Sequence, residues 1–287
     1  IEKEIKKVNN NFEENIKKGE NEQFICQLIR QDNIEEFITY VNKNDLSLLT
    51  KIEKSIFETN SFLLDKNPSL IEYSCFFGSV QIFNYLRLND SKLNSSLWLY
   101  SIHGQNPEII HNLEENNIKP KDNFIKECFN ESIKCHHNEI TDYLNVNYMD
   151  NQSDKMYSKS FKYINFVCFP NDICNEFSFY YLCKYNYLSL VKFILKNKCI
   201  DINAKTIFTI VVCFNNISKL KIFFLMEFTI FIFFNKTPLY AAIKKSNNKI
   251  VELLLSCAEI DINEASNYTF IKNNKKILMS ASPIFIA

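Results

Sequence analysis

Apolar residues in the last part of the chain recur at the spacing of two short amphipathic helices. Between Thr237 and Asn263 they fall three or four positions apart, which is the period of one face of an α-helix. The two sets are Leu239, Ala242 and Ile243, and then Ile250, Val251 and Leu254. Such short helices cannot bury an apolar face alone, so the pattern predicts helix pairs that stack on neighbouring pairs.

The same pattern occurs twice in the chain. Asn175–Asn203 and Asn235–Asn263 align without gaps, and both copies end in Ile-Asp-Ile-Asn. The aligned positions include Tyr180 with Tyr240 and Lys184 with Lys244. Apolar residues that fit the second helix of a pair also recur upstream, and the markers are Ile82, Ile109, Ile140, Leu190 and Ile250. The chain is therefore predicted to be an array of helix pairs.

The second copy resembles the ankyrin repeat. Its opening, Thr237-Pro238-Leu239-Tyr240-Ala241-Ala242, matches the T-P-L-H-x-A start of that family, and Ile260-Asp261-Ile262-Asn263 matches its closing D-V-N. Thr237 can cap a helix and Pro238 suits its first turn, so the local chemistry agrees. The resemblance implies an all-α, ankyrin-type helical solenoid with degenerate N-terminal helix pairs.

The first copy departs from the family pattern. Phe177, Ser178 and Phe179 stand where Thr-Pro-Leu belongs. The turn between the helices, usually glycine in the family, is Asn186 here and Ser246 in the second copy. Asparagine tolerates the left-handed backbone better than most residues, so Asn186 suits the turn, whereas Ser246 is a poorer substitute.

The region upstream carries a more diffuse helical pattern. Residues Asn21 to Asn147 resemble the ankyrin-like domain that precedes ankyrin arrays in AT-rich protozoan parasites. We expect an N-terminal helical segment over 1–60, degenerate ankyrin-like helix pairs over 61–150, a linker and first ankyrin repeat over 151–206, an apolar insertion over 207–235, and a second repeat over 236–287 that includes the start of a truncated third at Ser282-Pro283.

The apolar segment from Ile207 to Phe234 has three interpretations. It is a long apolar hairpin or helix packed on the array, translated AT-rich sequence outside the mature protein, or a membrane anchor. Polar residues interrupt it at Asn215, Asn216, Lys219, Lys221 and Glu227. A transmembrane helix needs about 20 largely apolar residues, and a span here would separate two repeats that must stack.

The amino-acid composition argues against several classes of function. The formal net charge is zero, whereas a general nucleic-acid binder carries an excess of positive charge. Three glycines leave little room for phosphate-binding loops, and no common catalytic motif is present. We therefore expect no enzyme activity, no specific nucleic acid and no cofactor. The ten cysteines mostly have apolar flanks, which favours buried free thiols and a cytoplasmic location.

Two groups of cysteine and histidine are candidate zinc ligands. They are Cys128, Cys135, His136 and His137, and the pair Cys168 and Cys174. Neither has the paired C-x₂-C or H-x₃₋₅-H spacing of structural zinc sites. A helix–helix turn is the simpler interpretation of the first group, so we expect no stoichiometric metal.

The ankyrin resemblance implies a non-catalytic scaffold or adaptor that binds another protein of unknown identity. In that family the exposed concave positions are the residue before the threonine and the two before the inter-helix turn. The matching residues are Lys236, Lys244 and Lys245 in the second repeat and Glu176, Lys184 and Tyr185 in the first. Ordinary solvated lysines are the competing interpretation. The alternative function is a membrane-associated ankyrin protein held by residues 207–234.

We predict that the apolar segment lies outside the helical stack. Replacing Ile207 to Phe234 by a short Asn-Gly turn should keep the helical content and improve solubility, because loop length costs little and an apolar patch invites aggregation. Circular dichroism and thermal melts of both proteins test this. Loss of cooperative unfolding in the shortened protein would mean that the segment belongs to the core.

Overall fold

The computed structural model describes most of the chain. The described residues are 12–64, 66–89, 91–118, 120, 122–149, 153–214, 228–264, 266–272 and 275–281. Residues 215–227 of the apolar segment and the Ser282-Pro283 opening of the predicted third repeat lie outside them. The chain forms two compact units, Ile1–Ser153 and Asp154–Ala287.

The first unit is built from helix pairs. Its helices are α1 (residues 12–18), α2 (Phe24–Arg30), α3 (Ile34–Lys43), α4 (Leu70–Phe77), α5 (Val80–Leu88), α6 (Leu97–Gly104), α7 (Pro107–Glu115), α8 (Asp122–Lys134) and α9 (Asn138–Tyr148). Four pairs form in sequence, α2/α3, α4/α5, α6/α7 and α8/α9. The first helices of successive pairs pack on one another, as do α3, α5 and α7. The predicted stack of helix pairs is therefore confirmed for this part of the chain.

Local sequence fixes where several of these helices begin. Ser69 caps α4, and its partner Glu72 bonds back to the Ser69 backbone, which completes a capping box. Asn106 caps α7 and Pro107 occupies the first helical position, where its missing N–H costs nothing. Such caps satisfy backbone groups that a short helix would otherwise leave unpaired.

Helices α4 and α6 approach each other very closely. Gly104, the last residue of α6, lies so near α4 that an added Cβ would collide with the Cys75 carbonyl oxygen and lie 2.8 Å from the Gly78 nitrogen. Glycine at this position therefore sets the spacing of the two pairs.

The second unit contains two helix pairs and a sheet. Its elements are α10 (Ser153–Tyr163), a 3₁₀ turn (Phe166–Cys168), α11 (Glu176–Lys184), α12 (Leu188–Asn197), β1 (Thr206–Phe214), β2 (Phe228–Lys236), α13 (Pro238–Lys244), α14 (Asn248–Leu255), β3 (Ser266–Lys272) and β4 (Lys275–Ala281). Helix α11 packs on α13, and α12 packs on α14. Thr237 caps α13 as expected, since its side chain accepts a hydrogen bond of 3.2 Å from the Tyr240 N–H.

The core of this unit lies between the two pairs. Side chains with no exposed surface come from both pairs and from α10, and they are Phe161, Phe179, Leu182, Cys183, Val191, Ile194, Ala242, Ile250 and Leu254. Burial of each large apolar side chain contributes roughly 1.5–3 kcal/mol, so the contact between repeats dominates the stability of the unit.

A left-handed residue connects the two helices of every described pair. Its φ lies between 48° and 67°, and the residues are Asp32, Gly78, Gln105, His136, Asn186 and Ser246. The following N–H then reaches back into the first helix, as from Tyr187 to the Leu182 oxygen and from Asn247 to the Ala242 oxygen, both 3.0 Å. Asn186 and Ser246 occupy the turn as the sequence predicts.

The four strands form one antiparallel sheet in the order β1-β2-β3-β4. Thr206 pairs with Lys236 at the start of β1, and Phe214 pairs with Phe228 at its end. Strand β2 also pairs with β3, so Asn235 faces Asn267. The described ends of the apolar segment are therefore strands, which its β-branched and aromatic residues favour. The sheet is an addition to the all-α repeats.

No helix in the described residues is long and apolar enough to cross a membrane.

Adjacent leucines in α14 test the repeat register. Leu254 is fully buried, whereas the Leu255 side chain is 50% exposed. We expect Leu254→Ala to lower the free energy of unfolding by about 2–5 kcal/mol, as other large-to-small core changes do. Leu255→Ala, the matched control, should change it by less than about 0.5 kcal/mol. Urea unfolding followed by circular dichroism measures both, and equal losses would contradict the assigned register.

Candidate functional site

The predicted partner-binding residues lie at equivalent places in the two repeats of the second unit. Lys184 ends α11 and Tyr185 follows it, Lys244 ends α13 and Lys245 follows it, Glu176 begins α11, and Lys236 ends β2. Because α11 packs on α13, the ends of the two helices lie side by side. We call Lys184, Lys236, Lys244 and Lys245 the lysine surface.

Three tyrosine rings surround the ammonium group of Lys184. Its Nζ atom lies 5.6, 5.1 and 5.2 Å from the ring centroids of Tyr180, Tyr181 and Tyr185. The rings of Tyr181 and Tyr185 are nearly parallel, with centroids 6.0 Å apart. Aromatic faces attract a cation within about 6 Å, so these rings hold the lysine in place.

In the second repeat a single tyrosine ring contacts two lysines. Tyr240, which aligns with Tyr180, is buried, and its ring centroid lies 5.5 Å from Lys236 Nζ and 5.8 Å from Lys244 Nζ. Tyr180 and Lys184 are four residues apart on one helix, as are Tyr240 and Lys244, and that spacing places both on one face.

The electrostatics of the surface are unfavourable for Lys184. Burial, and after it the positive charges of Lys236, Lys245 and Lys244, lower the pKa of Lys184 to about 8. Burial and the charge of Lys244 also lower the pKa of Lys236. The folded protein therefore holds several positive charges close together at a free-energy cost.

A side-chain contact between the repeats fixes the position of Lys184. The side-chain Nδ2 of Asn247 donates to the backbone carbonyl oxygens of Cys183 and Lys184, at 2.8 and 3.0 Å. These carbonyls belong to the last turn of α11, where carbonyl groups have no hydrogen-bond donor inside the helix. The turn of the second repeat thus caps the helix that carries Lys184.

The structure places Tyr185 and Glu176 differently. Tyr185 is half-buried and belongs to the ring group around Lys184. Glu176 is exposed at the start of α11, and its carbonyl oxygen accepts a hydrogen bond of 3.3 Å from the Thr206 hydroxyl at the start of β1. Tyr185 therefore borders the lysine surface and Glu176 does not, and a partner-binding role stays a prediction for both.

Several residues of this site were not predicted from the sequence. Lys162, on α10, adds to the positive charge that acts on Lys184. Tyr180, Tyr181 and Tyr240 supply the rings. The i, i+4 spacing of tyrosine and lysine in both repeats was the available signal, whereas no sequence feature connects Lys162 with α11.

The first cysteine–histidine group is spread over the α8/α9 pair. Cys128 is buried within α8, and His136 is the left-handed turn residue. The His137 side chain lies within hydrogen-bond distance of the Gln105 amide, and burial followed by the charges of His103 and His136 lowers the pKa of His137. The four predicted candidates therefore do not form a set of their own.

Cys168 and Cys174 also have different surroundings. Cys168 is buried after α10, whereas Cys174 is half-buried before α11. The neighbouring thiol of Cys199 raises the pKa of the Cys174 thiol. The free thiol of Cys199 is therefore a neighbour of Cys174.

Lys184 should make stability depend on alkaline pH. Between its folded pKa of about 8 and its ordinary value of 10.5, the unfolded chain binds more protons than the folded chain. The free energy of unfolding therefore rises with pH across that window, and the cost of the charged lysine is fully present below it.

We expect Lys184→Met to raise the free energy of unfolding, relative to the natural protein, most at pH 7. This difference in free energy should shrink towards pH 10.5. Urea unfolding at a series of pH values measures it. Lys249→Met, at an exposed position of α14, is the control and should show a constant difference. A constant difference for Lys184→Met as well would contradict the assignment.

Comparison with known proteins agrees with the repeat geometry. Residues 175–281 match the family described as ankyrin repeats (3 copies). No curated protein matches the chain significantly. Among solved structures, the ankyrin repeat domain of human ASB11 is 13% identical, with a TM-score of 0.34, and the alignment covers 92% of this chain and 91% of that one. The matched segment contains both helix pairs of the second unit with their left-handed turns, so residues 175–281 are similar to ankyrin repeats.

Proposed function

We propose that this protein is a non-catalytic scaffold or adaptor whose lysine surface binds an acidic segment of a partner protein. Ankyrin repeats are protein-interaction modules, which gives the class of function. The observation that carries the finer proposal is the electrostatic state of Lys184. The four charges that act most strongly on it, from Lys236, Lys245, Lys244 and Lys162, are all positive.

An acidic partner would relieve this repulsion. A carboxylate placed between the ends of α11 and α13 would neutralise charge that the folded protein holds at a cost. Lys244 and Lys245 are exposed, so they can contact a partner directly, and the tyrosine rings hold the half-buried Lys184 and Lys236 next to them. Charge complementarity of this kind sets specificity and the rate of association.

The cysteines support a cytoplasmic location for this scaffold. In the described residues nine cysteines are free thiols, and five of them are buried. Free thiols persist in a reducing compartment, which is the basis for the proposal.

Binding of a labelled acidic peptide tests the proposal. The probe is a fluorescein-labelled oligoglutamate peptide, followed by fluorescence anisotropy with the full chain at low and high salt. We expect Lys244→Glu/Lys245→Glu to weaken binding by at least about tenfold, and high salt to weaken binding by the natural protein.

The matched control reverses the same number of charges elsewhere. Lys192→Glu/Lys249→Glu changes two exposed lysines on α12 and α14, the second helices of the same two repeats. Binding should survive in this variant. An equal loss in both double variants, or equal affinity for an oligonucleotide of the same charge, would mean that the surface attracts anions without selecting an acidic protein segment.

A further inference from the structure

Three potential metal ligands from two helix pairs meet in the first unit. His103 lies near the end of α6, Glu131 lies in the last turn of α8, and Cys135 directly follows α8. One ligand atom from each residue can be chosen so that all three lie within 4.8 Å of one another. Because His103 is far from the others in sequence, this group is invisible to any search for local ligand spacing.

Two of the distances around Glu131 are near those of a tetrahedral zinc site. His103 Nε2 lies 3.3 Å from Glu131 Oε1, and Cys135 Sγ lies 3.9 Å from the same oxygen. Zinc bonds of about 2.0–2.3 Å at tetrahedral angles separate nitrogen from oxygen by about 3.3 Å and sulfur from oxygen by about 3.5 Å. The Sγ atom lies 3.6 Å from Nδ1, the other nitrogen of the His103 ring, so the ring or the thiol must turn before one nitrogen and the thiol can bind the same ion.

The protein holds the three side chains in place before any ion arrives. The His103 ring packs against the rings of Phe62 and Phe76, with centroids 4.3 and 4.6 Å away. Glu131 and Cys135 are four residues apart, which places them on one face of the helix. The Cys135 backbone N–H donates to the Glu131 backbone carbonyl oxygen at 2.8 Å, so the helical turn extends to the residue that carries the thiol.

The imidazole has an unused ligand position. The His103 side chain is only 11% exposed, and its Nε2 atom is buried and makes no hydrogen bond despite the nearby carboxylate. A buried nitrogen without a hydrogen bond, 3.3 Å from a carboxylate oxygen, favours a cation between them.

Lys134 is the group that a metal ion would displace. Its Nζ atom lies 2.9 Å from Glu131 Oε1, but the side chain is 40% exposed. It can therefore turn into solvent when an ion neutralises the carboxylate. Removing its charge should strengthen metal binding.

We propose that His103, Glu131 and Cys135 bind one zinc ion, with water as the fourth ligand. The ion would join α6 to α8 and so link two successive helix pairs of the first unit. The expectation of no stoichiometric metal considered only ligands close together in sequence, and the site draws its histidine from another pair.

Cobalt provides the direct test, because thiolate coordination gives Co²⁺ an intense absorption band in the near ultraviolet. The full chain is prepared metal-free under reducing conditions, titrated with Co²⁺, and then titrated with Zn²⁺ in competition. We expect one equivalent of Co²⁺ to give the thiolate band and one equivalent of Zn²⁺ to remove it.

Four variants separate the site from adventitious binding. Cys135→Ser should remove the thiolate band and weaken Zn²⁺ binding by at least about tenfold. Cys199→Ser and His111→Gln change an exposed cysteine and an exposed histidine and should bind as the natural protein does. Lys134→Ala should bind more tightly.

The results decide between an ion site and a purely structural contact. The absence of one-to-one binding by the natural protein would overturn the proposal. So would a thiolate band that persists in Cys135→Ser, or a loss of Zn²⁺ affinity in that variant below about tenfold. Circular dichroism of each variant checks that the helical stack is intact, and His103→Asn provides a second ligand variant if Cys135→Ser fails to fold.

Discussion

The helices of this protein are too short to be stable alone, and this constraint governs the rest of the structure. Those with described ends have 7 to 13 residues, near or below the length at which isolated helices become marginal in water. Each pair is stable only because its apolar face is covered by the next pair. Stacking brings the same position of successive repeats side by side. The lysine surface follows directly, since Lys184 and Lys244 occupy equivalent positions on the packed helices α11 and α13.

The end of the first helix in each pair is where polar side chains gather. Lys184, Lys244 and His103 all lie in the last turn of such a helix, and Cys135 follows one. The last turn carries the negative end of the helix dipole, which favours lysine and protonated histidine there. The left-handed residue that follows then turns the chain sharply, so the end of the helix remains open on one side. Repetition of one geometry thus accounts for both the lysine surface and the ligand group.

The sequence predicts the second repeat well because it carries strong local signals. Thr237 and Pro238 mark a helix start, and the periodic apolar residues mark its buried face. The upstream pairs are harder to recognise because their turns use Asp32, Gln105 and His136, residues that also occur throughout helices and loops. Helix α10 lay in a segment expected to contain a linker, and the approach of His103 to Glu131 depends on packing between distant segments. These features arise from tertiary contacts, which single-chain periodicity does not encode.

Because β2 pairs with β3, the distance between successive repeats is set by strand pairing as well as by helix packing. Two neighbouring strands of a hairpin occupy about 9–10 Å across the sheet, close to the 8–10 Å between packed helices. Hairpins that leave successive repeats can therefore join edge to edge without shearing the helices beneath them. The strands of a hairpin can become longer without altering that spacing. The length of the strands and the length of the helices can therefore vary independently, while each further repeat adds the same distance to the sheet and to the helical stack.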